Sequence, residues 1–264
     1  MLKAILYYIL FLAEYLITIF LGGFLVGLYM AMNMHSGSHS QQIEGLEESI
    51  YPFIIVIGFL GILIVWLTFG HYKFSRFSLG KVIPAAKWKA MTICTMPILG
   101  FTMGFYSIMN LFHLDFLPKQ MMEISYLGFL PYNIIGSFIS AYIFFGAIQE
   151  ELIRCGKKRW VQLLTLSIMM LPACMMSVTT SGDINVDLTV QGFITLCYCS
   201  WIYGKTRSTI ILIVLYFVSN LVPFQFESKV LGILLLIAGT ALTIGGFAAL
   251  SRKLPEMLVK DEDE

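Results

Sequence analysis

The chain reads as an all-α polytopic membrane protein, one membrane domain over residues 1–264 built as a bundle of about eight transmembrane helices. Three observations lead there. Of its 264 residues 58% are hydrophobic and only 12% charged, and the mean hydropathy is +0.82. Apolar runs recur at the length of about 20 residues that a helix needs to cross the hydrocarbon core of a bilayer. The basic residues collect in alternate connections between those runs, as cytoplasmic loops do.

The runs set the elements in order, at about 5–32, 50–69, 90–111, 127–149, 160–179, 188–203, 208–224 and 230–250. The first, from Ile5 to Met34, is too long for a signal-peptide core and lacks a convincing cleavage site, so it is expected to be a retained span. The sixth and seventh are short, which suits tilted or partly re-entrant segments. Pro97 and Pro172 are expected to kink the third and fifth spans, and such kinks often border a cavity. Gly23–Gly27 and Gly100–Gly104 have the GxxxG spacing that lets helices approach closely, a packing feature rather than chemistry. No soluble domain fits in the remaining loops, no internal repeat is visible, and Lys260–Glu264 reads as a solvated tail.

Charge sets orientation. All but Lys119 and Lys229 of the 17 basic residues fall on one side, in the loops around 73–89, 154–159 and 205–207 and at the two ends. Glu44, Glu47, Glu48, Asp183 and Asp187 collect opposite. Both termini are therefore expected to be cytoplasmic, and Glu150 and Glu151 to sit at the cytoplasmic end of span four. A net charge of +1 and the lack of a basic stripe interleaved with aromatics exclude nucleic acid as the expected partner. Membrane lipid is the partner that composition implies.

Chemistry concentrates at the end of span four, in Gln149-Glu150-Glu151-Leu152-Ile153-Arg154. Helical spacing puts Glu150, Glu151 and Arg154 on one face. Two readings stand side by side. One is an interfacial ion pair worth under about 1 kcal/mol. The other is a buried carboxylate facing a polar cavity and held by the arginine, for which loss of one partner costs about 3–5 kcal/mol. Glu14, about ten residues into span one, is a second intramembrane carboxylate; it reads as a hydrogen-bonded interior residue or as a cavity or proton site. The five cysteines, Cys94, Cys155, Cys174, Cys197 and Cys199, have neither zinc-knuckle nor redox spacing and read as small apolar residues. His35, His39, His71 and His113 all lie in or beside loops, away from the glutamates.

Further along stands Tyr203-Gly204-Lys205-Thr206-Arg207-Ser208, followed by the apolar run Ile210–Asn220. Over about residues 127–222 this order resembles the CPBP intramembrane peptidases, which include the type II CAAX prenyl proteases and the Abi proteins. That family carries Glu-Glu-x-x-x-Arg at a helix end, then Phe-x-x-x-His, then a Tyr-x-x-Thr-Gly-Ser turn and His-x-x-x-Asn. Asn220 falls where the family's Asn would fall. With Arg154 set on the family's Arg, Gln149 takes the place of the first Glu, the residue assigned to activate water, and Glu150 that of the second. An amide cannot accept that proton at neutral pH. Taking Glu150 and Glu151 as the pair leaves Arg154 one residue early, rotated by about 100° unless the helix carries a bulge. Cys174 and Tyr216 replace the family's two histidines, so no cofactor and no catalytic zinc are expected.

The resemblance thus implies a catalytically impaired relative in a bacterial plasma membrane, acting by binding a membrane protein or peptide in regulation, immunity or peptide maturation. An active CAAX-protease-like endopeptidase using Glu150 or Glu151, with Asn220 stabilising the oxyanion, is the alternative. A small-solute transporter built on Glu14 and the glutamate pair is the third reading, though paired broken helices in two related halves are not visible.

Overall fold

The computed structural model describes residues 2–33, 60–61, 63–64, 79–112, 126–169, 186–219 and 228–259. Their fold class is all-α: among the described residues the only extended pairing is a single antiparallel bridge between Val82 and Leu258. In chain order the helices are α1 (Leu2–Asn33), α2 (Lys87–Leu111, entered through a 3-10 turn at Pro84–Ala86) and α3 (Tyr126–Ser140). Without a break, α3 becomes a π-helical segment (Ala141–Gln149) and then the short α4 (Glu150–Arg154). After α5 (159–169) come α6 (Val186–Thr206), α7 (Thr209–Ser219) and α8 (Lys229–Lys253), closed by a 3-10 turn at Pro255–Met257.

These helices lie over the apolar runs because an unbroken apolar stretch in a low-dielectric setting must satisfy its backbone groups internally, and a helix does so within one segment. Among the described residues two are long and apolar enough to cross a membrane, Pro84–Leu111 with mean hydropathy 1.4 and Lys229–Lys253 with 2.2. The 25 residues of α8 make a rod of about 37 Å at 1.5 Å per residue, more than the ~30 Å of a hydrocarbon core. Its ends are marked in the sequence. Ser228 caps the start by accepting from the Leu231 N–H at 3.4 Å, and Arg252 and Lys253 face the negative end of the helix dipole. Large apolar side chains stand exposed along it, among them Val230, Leu234, Ile237, Ile244 and Phe247. Of the expected second span, 50–69, only 60–61 and 63–64 are described, and these are helical. Pro172, the four histidines and residues 170–179 of the fifth span lie outside the described residues.

The packing of α2 on α8 is antiparallel and rests on glycine. A Cβ at Gly100 would lie 2.5 Å from the Gly239 carbonyl oxygen, and one at Gly239 would lie 2.7 Å from the Gly104 nitrogen. Backbone meets backbone there, which only residues without a side chain allow. The Gly100–Gly104 spacing is therefore used inside one chain, whereas an added Cβ at Gly27 would meet nothing within 4 Å. Pro97 interrupts α2, and in the turn before it the Cys94 carbonyl accepts from the Tyr198 hydroxyl of α6 at 2.6 Å. That bond falls one residue after Ile93, whose carbonyl loses its helical N–H donor to the proline.

The core centres on the π segment, every residue of which is buried. Phe11 of α1 meets Phe144 edge-on at 5.4 Å, and Phe145 sits between the rings of Tyr203 (6.3 Å) and Tyr216 (5.7 Å). At one end, polar side chains bind helices to each other. The Tyr106 hydroxyl donates to Gln191, and Gln191 donates to the Ser219 carbonyl. At the other end three connections are stitched by backbone bonds: Lys81 N–H to Thr206 O (2.8 Å), Ile83 N–H to Met257 O (3.0 Å) and Val259 N–H to Lys81 O (2.7 Å). Gly80, at φ 62°, lies so close to the Thr206 and Arg207 backbone that a side chain would not fit.

Candidate polar site at the end of the π segment

The transition from π to α at Gln149–Glu150 decides where the polar side chains point. Both face α6, one turn apart: Gln149 meets Ser200, Glu150 meets Tyr203, and Arg207 follows four residues later. Gln149 is 1% exposed. Its Nε2 donates to the Ser200 carbonyl at 3.0 Å and to Gln162 Oε1 at 3.2 Å, while Gln162 Nε2 donates to the Lys157 carbonyl at 2.7 Å. The chain of donors fixes both amide orientations. Gln162 must present its oxygen to Gln149 because its nitrogen is used on Lys157, so Gln149 must present nitrogen. Gln149 Oε1 is buried with no hydrogen-bond partner among the described residues.

Glu150 is the hub of the second cluster. Its Oε2 accepts from Arg207 Nη1 at 2.9 Å and from the Tyr203 hydroxyl at 3.0 Å, and its Oε1 accepts from Arg154 Nε at 3.3 Å. The Glu150 side chain is 18% exposed, that of Arg207 26% and that of Arg154 49%. The expected pair with Arg154 is present, at i,i+4 on a regular α-helical turn, but it is the outer and longer of two. The tighter guanidinium contact comes from Arg207, which adopts φ 53° at the end of α6. Glu151 is half-buried, and no hydrogen bond or ion pair of its carboxylate is found among the described residues. The irregularity that the spacing invited lies upstream, as a π segment ending at Gln149, and not between Glu150 and Arg154.

Of the other expected residues, Tyr216 is buried against Phe145. Glu14 is 8% exposed and lies three residues beyond Phe11, on the face of α1 that meets the π segment. Cys94 and Cys199 are buried, whereas Cys155 is exposed at the end of α4. Asn220 and Cys174 fall outside the described residues. Among the described residues no three His, Cys, Asp or Glu side chains converge as metal ligands. Sequence reasoning did not pair Glu150 with Tyr203 and Arg207, or Gln149 with Gln162 and Ser200. The one signal for the last pairing was that Gln149 and Gln162 are amides bordering apolar runs, where an amide needs a partner.

The arrangement has definite chemical consequences. Gln149 serves as a donor to two fixed acceptors and has no proton-accepting role at neutral pH. Water seeking the Glu150 lone pairs competes with three donors already on them. The chain matches no protein-family model, and no curated protein or solved structure matches it significantly.

Proposed function

We propose that the protein is an integral membrane protein of about eight spans, related in pattern to the CPBP peptidases, that has lost peptidase chemistry and acts by binding a membrane protein or peptide. The observation that carries this reading is the Gln149 amide, committed through Nε2 to Ser200 and Gln162 at the position where that family places its water-activating Glu. A base at that point would face two acceptors instead of donors. The engagement of Glu150 by Arg207, Tyr203 and Arg154 supports the same conclusion, since it uses the carboxylate as a clasp joining α4 to the end of α6.

Both termini are proposed to be cytoplasmic. Support comes from the meeting of the 79–83, 206–207 and 254–259 connections at one end of the bundle, where the basic loops are expected together. Photo-crosslinking in native membranes tests the binding role. A photoreactive residue at Ile153, half-buried three residues after Glu150, is expected to capture a discrete, uncleaved membrane protein or peptide. Recovery of nothing but lipid adducts at every level of expression would overturn it.

A further inference from the structure

Beyond the partner-binding site, and resting on the membrane placement proposed above, a groove of about 950 Å³ opens between the C-terminal ends of α6 and α8. Its volume lies in the range of small-molecule sites. Its wall is aromatic: the Tyr198 ring lies 6.1 Å from that of Trp201, tilted by 41°, and meets Phe247 edge-on at 5.8 Å. Leu254 and Leu258 close the far side, and Lys205 is the charged residue in the lining. Lys205 is exposed and makes no ion pair among the described residues. Arg252 and Lys253 follow the lining Ser251 directly, while the nearby Glu256 projects from the 3-10 turn outside the lining.

We infer that this groove holds one anionic glycerophospholipid of the surrounding leaflet, its acyl chain along Tyr198, Trp201 and Phe247 and its phosphodiester at Lys205. Three features of the groove carry the assignment. An apolar trough at a helix end presents hydrocarbon to an acyl chain, and tryptophan favours the headgroup boundary. The charge at its mouth is cationic and uncompensated by any carboxylate in the lining, and basic pockets between membrane helices select anionic headgroups. A zwitterionic lipid would fill the trough but bring a choline cation beside its phosphodiester, so that no net negative charge offsets Lys205; a free phosphate would leave the trough empty.

The test uses the full chain in phosphatidylcholine vesicles doped with phosphatidylglycerol or phosphatidylcholine brominated on the acyl chains. The Trp201 signal is isolated as wild type minus Trp201→Phe, since the chain has four tryptophans. Brominated phosphatidylglycerol is expected to quench Trp201 at lower mole fraction than brominated phosphatidylcholine. Lys205→Gln should reduce that preference about fivefold, the weight of one basic side chain at an anionic surface. Equal quenching by both lipids, or a preference unchanged in Lys205→Gln, overturns the anionic site and leaves the membrane placement standing. Absence of quenching by either lipid overturns both.

Discussion

Replacing Gln149 by Glu installs the residue that the proposed CPBP resemblance would place there, and the structure predicts that the protein will suffer for it. The Gln149 side chain is 1% exposed and gives two hydrogen bonds, at 3.0 Å to the Ser200 carbonyl and 3.2 Å to Gln162 Oε1. Gln149→Leu removes both and with them the unmatched Oε1; at about 0.5–1.5 kcal/mol per bond the loss is about 1–3 kcal/mol, partly offset by apolar burial. Gln149→Glu is worse. An ionised carboxylate would point at two acceptor oxygens, with no cation hydrogen-bonded there among the described residues, and a buried charge left without a partner costs about 3–5 kcal/mol. Unfolding of the detergent-purified variants, followed by heat or denaturant, should rank wild type above Gln149→Leu and Gln149→Leu above Gln149→Glu. Adding Gln162→Leu to Gln149→Leu should cost less than the sum of the two changes, because they share one bond. A Gln149→Glu protein as stable as wild type would refute the reasoning, since it would show a site built to hold a carboxylate.

Arg207→Ala should destabilise the protein by about 1.5–3 kcal/mol, as expected for a charged hydrogen bond that is mostly shielded, and Arg154→Ala by under about 0.5 kcal/mol because that pair is half exposed; equal losses in detergent unfolding would contradict the assignment of Arg207 as the principal partner of Glu150. Gly239→Leu should abolish recovery of folded protein at the wild-type elution volume on size-exclusion chromatography, because its side chain would enter the α2 backbone, whereas Gly27→Ala should leave the elution unchanged. Metal analysis of purified protein should find no stoichiometric zinc; about one zinc per chain would remove the case for lost catalysis.

How much of this was legible beforehand follows from the range of each interaction. Apolar runs and helix caps are local, so α1, α2, α6 and α8 fall where hydropathy puts them, and the Glu150–Arg154 contact follows from i,i+4 spacing. The Arg207 contact spans 57 residues and depends on a left-handed backbone at Arg207, which residue type alone does not announce. Apart from its last residue, Gln149, the π segment is dominated by apolar side chains all round, so no periodicity distinguishes it from an α-helix; it packs against Phe11, Tyr203 and Tyr216, contacts that residue type does not announce. Gly100–Gly104 announced a close approach, but nothing in that spacing named Gly239 as the surface approached.

The central claim, that Gln149 and Glu150 form a structural clasp in place of a peptidase centre, is tested most directly by mapping new protein N-termini in membranes. Cells would carry wild type, Glu150→Gln, Glu151→Gln or no copy of the protein, with expression of each variant matched by blotting. The account predicts the same set of N-termini in all four. A set of cleavage products present with wild type and lost with Glu150→Gln or Glu151→Gln at equal protein level would contradict it.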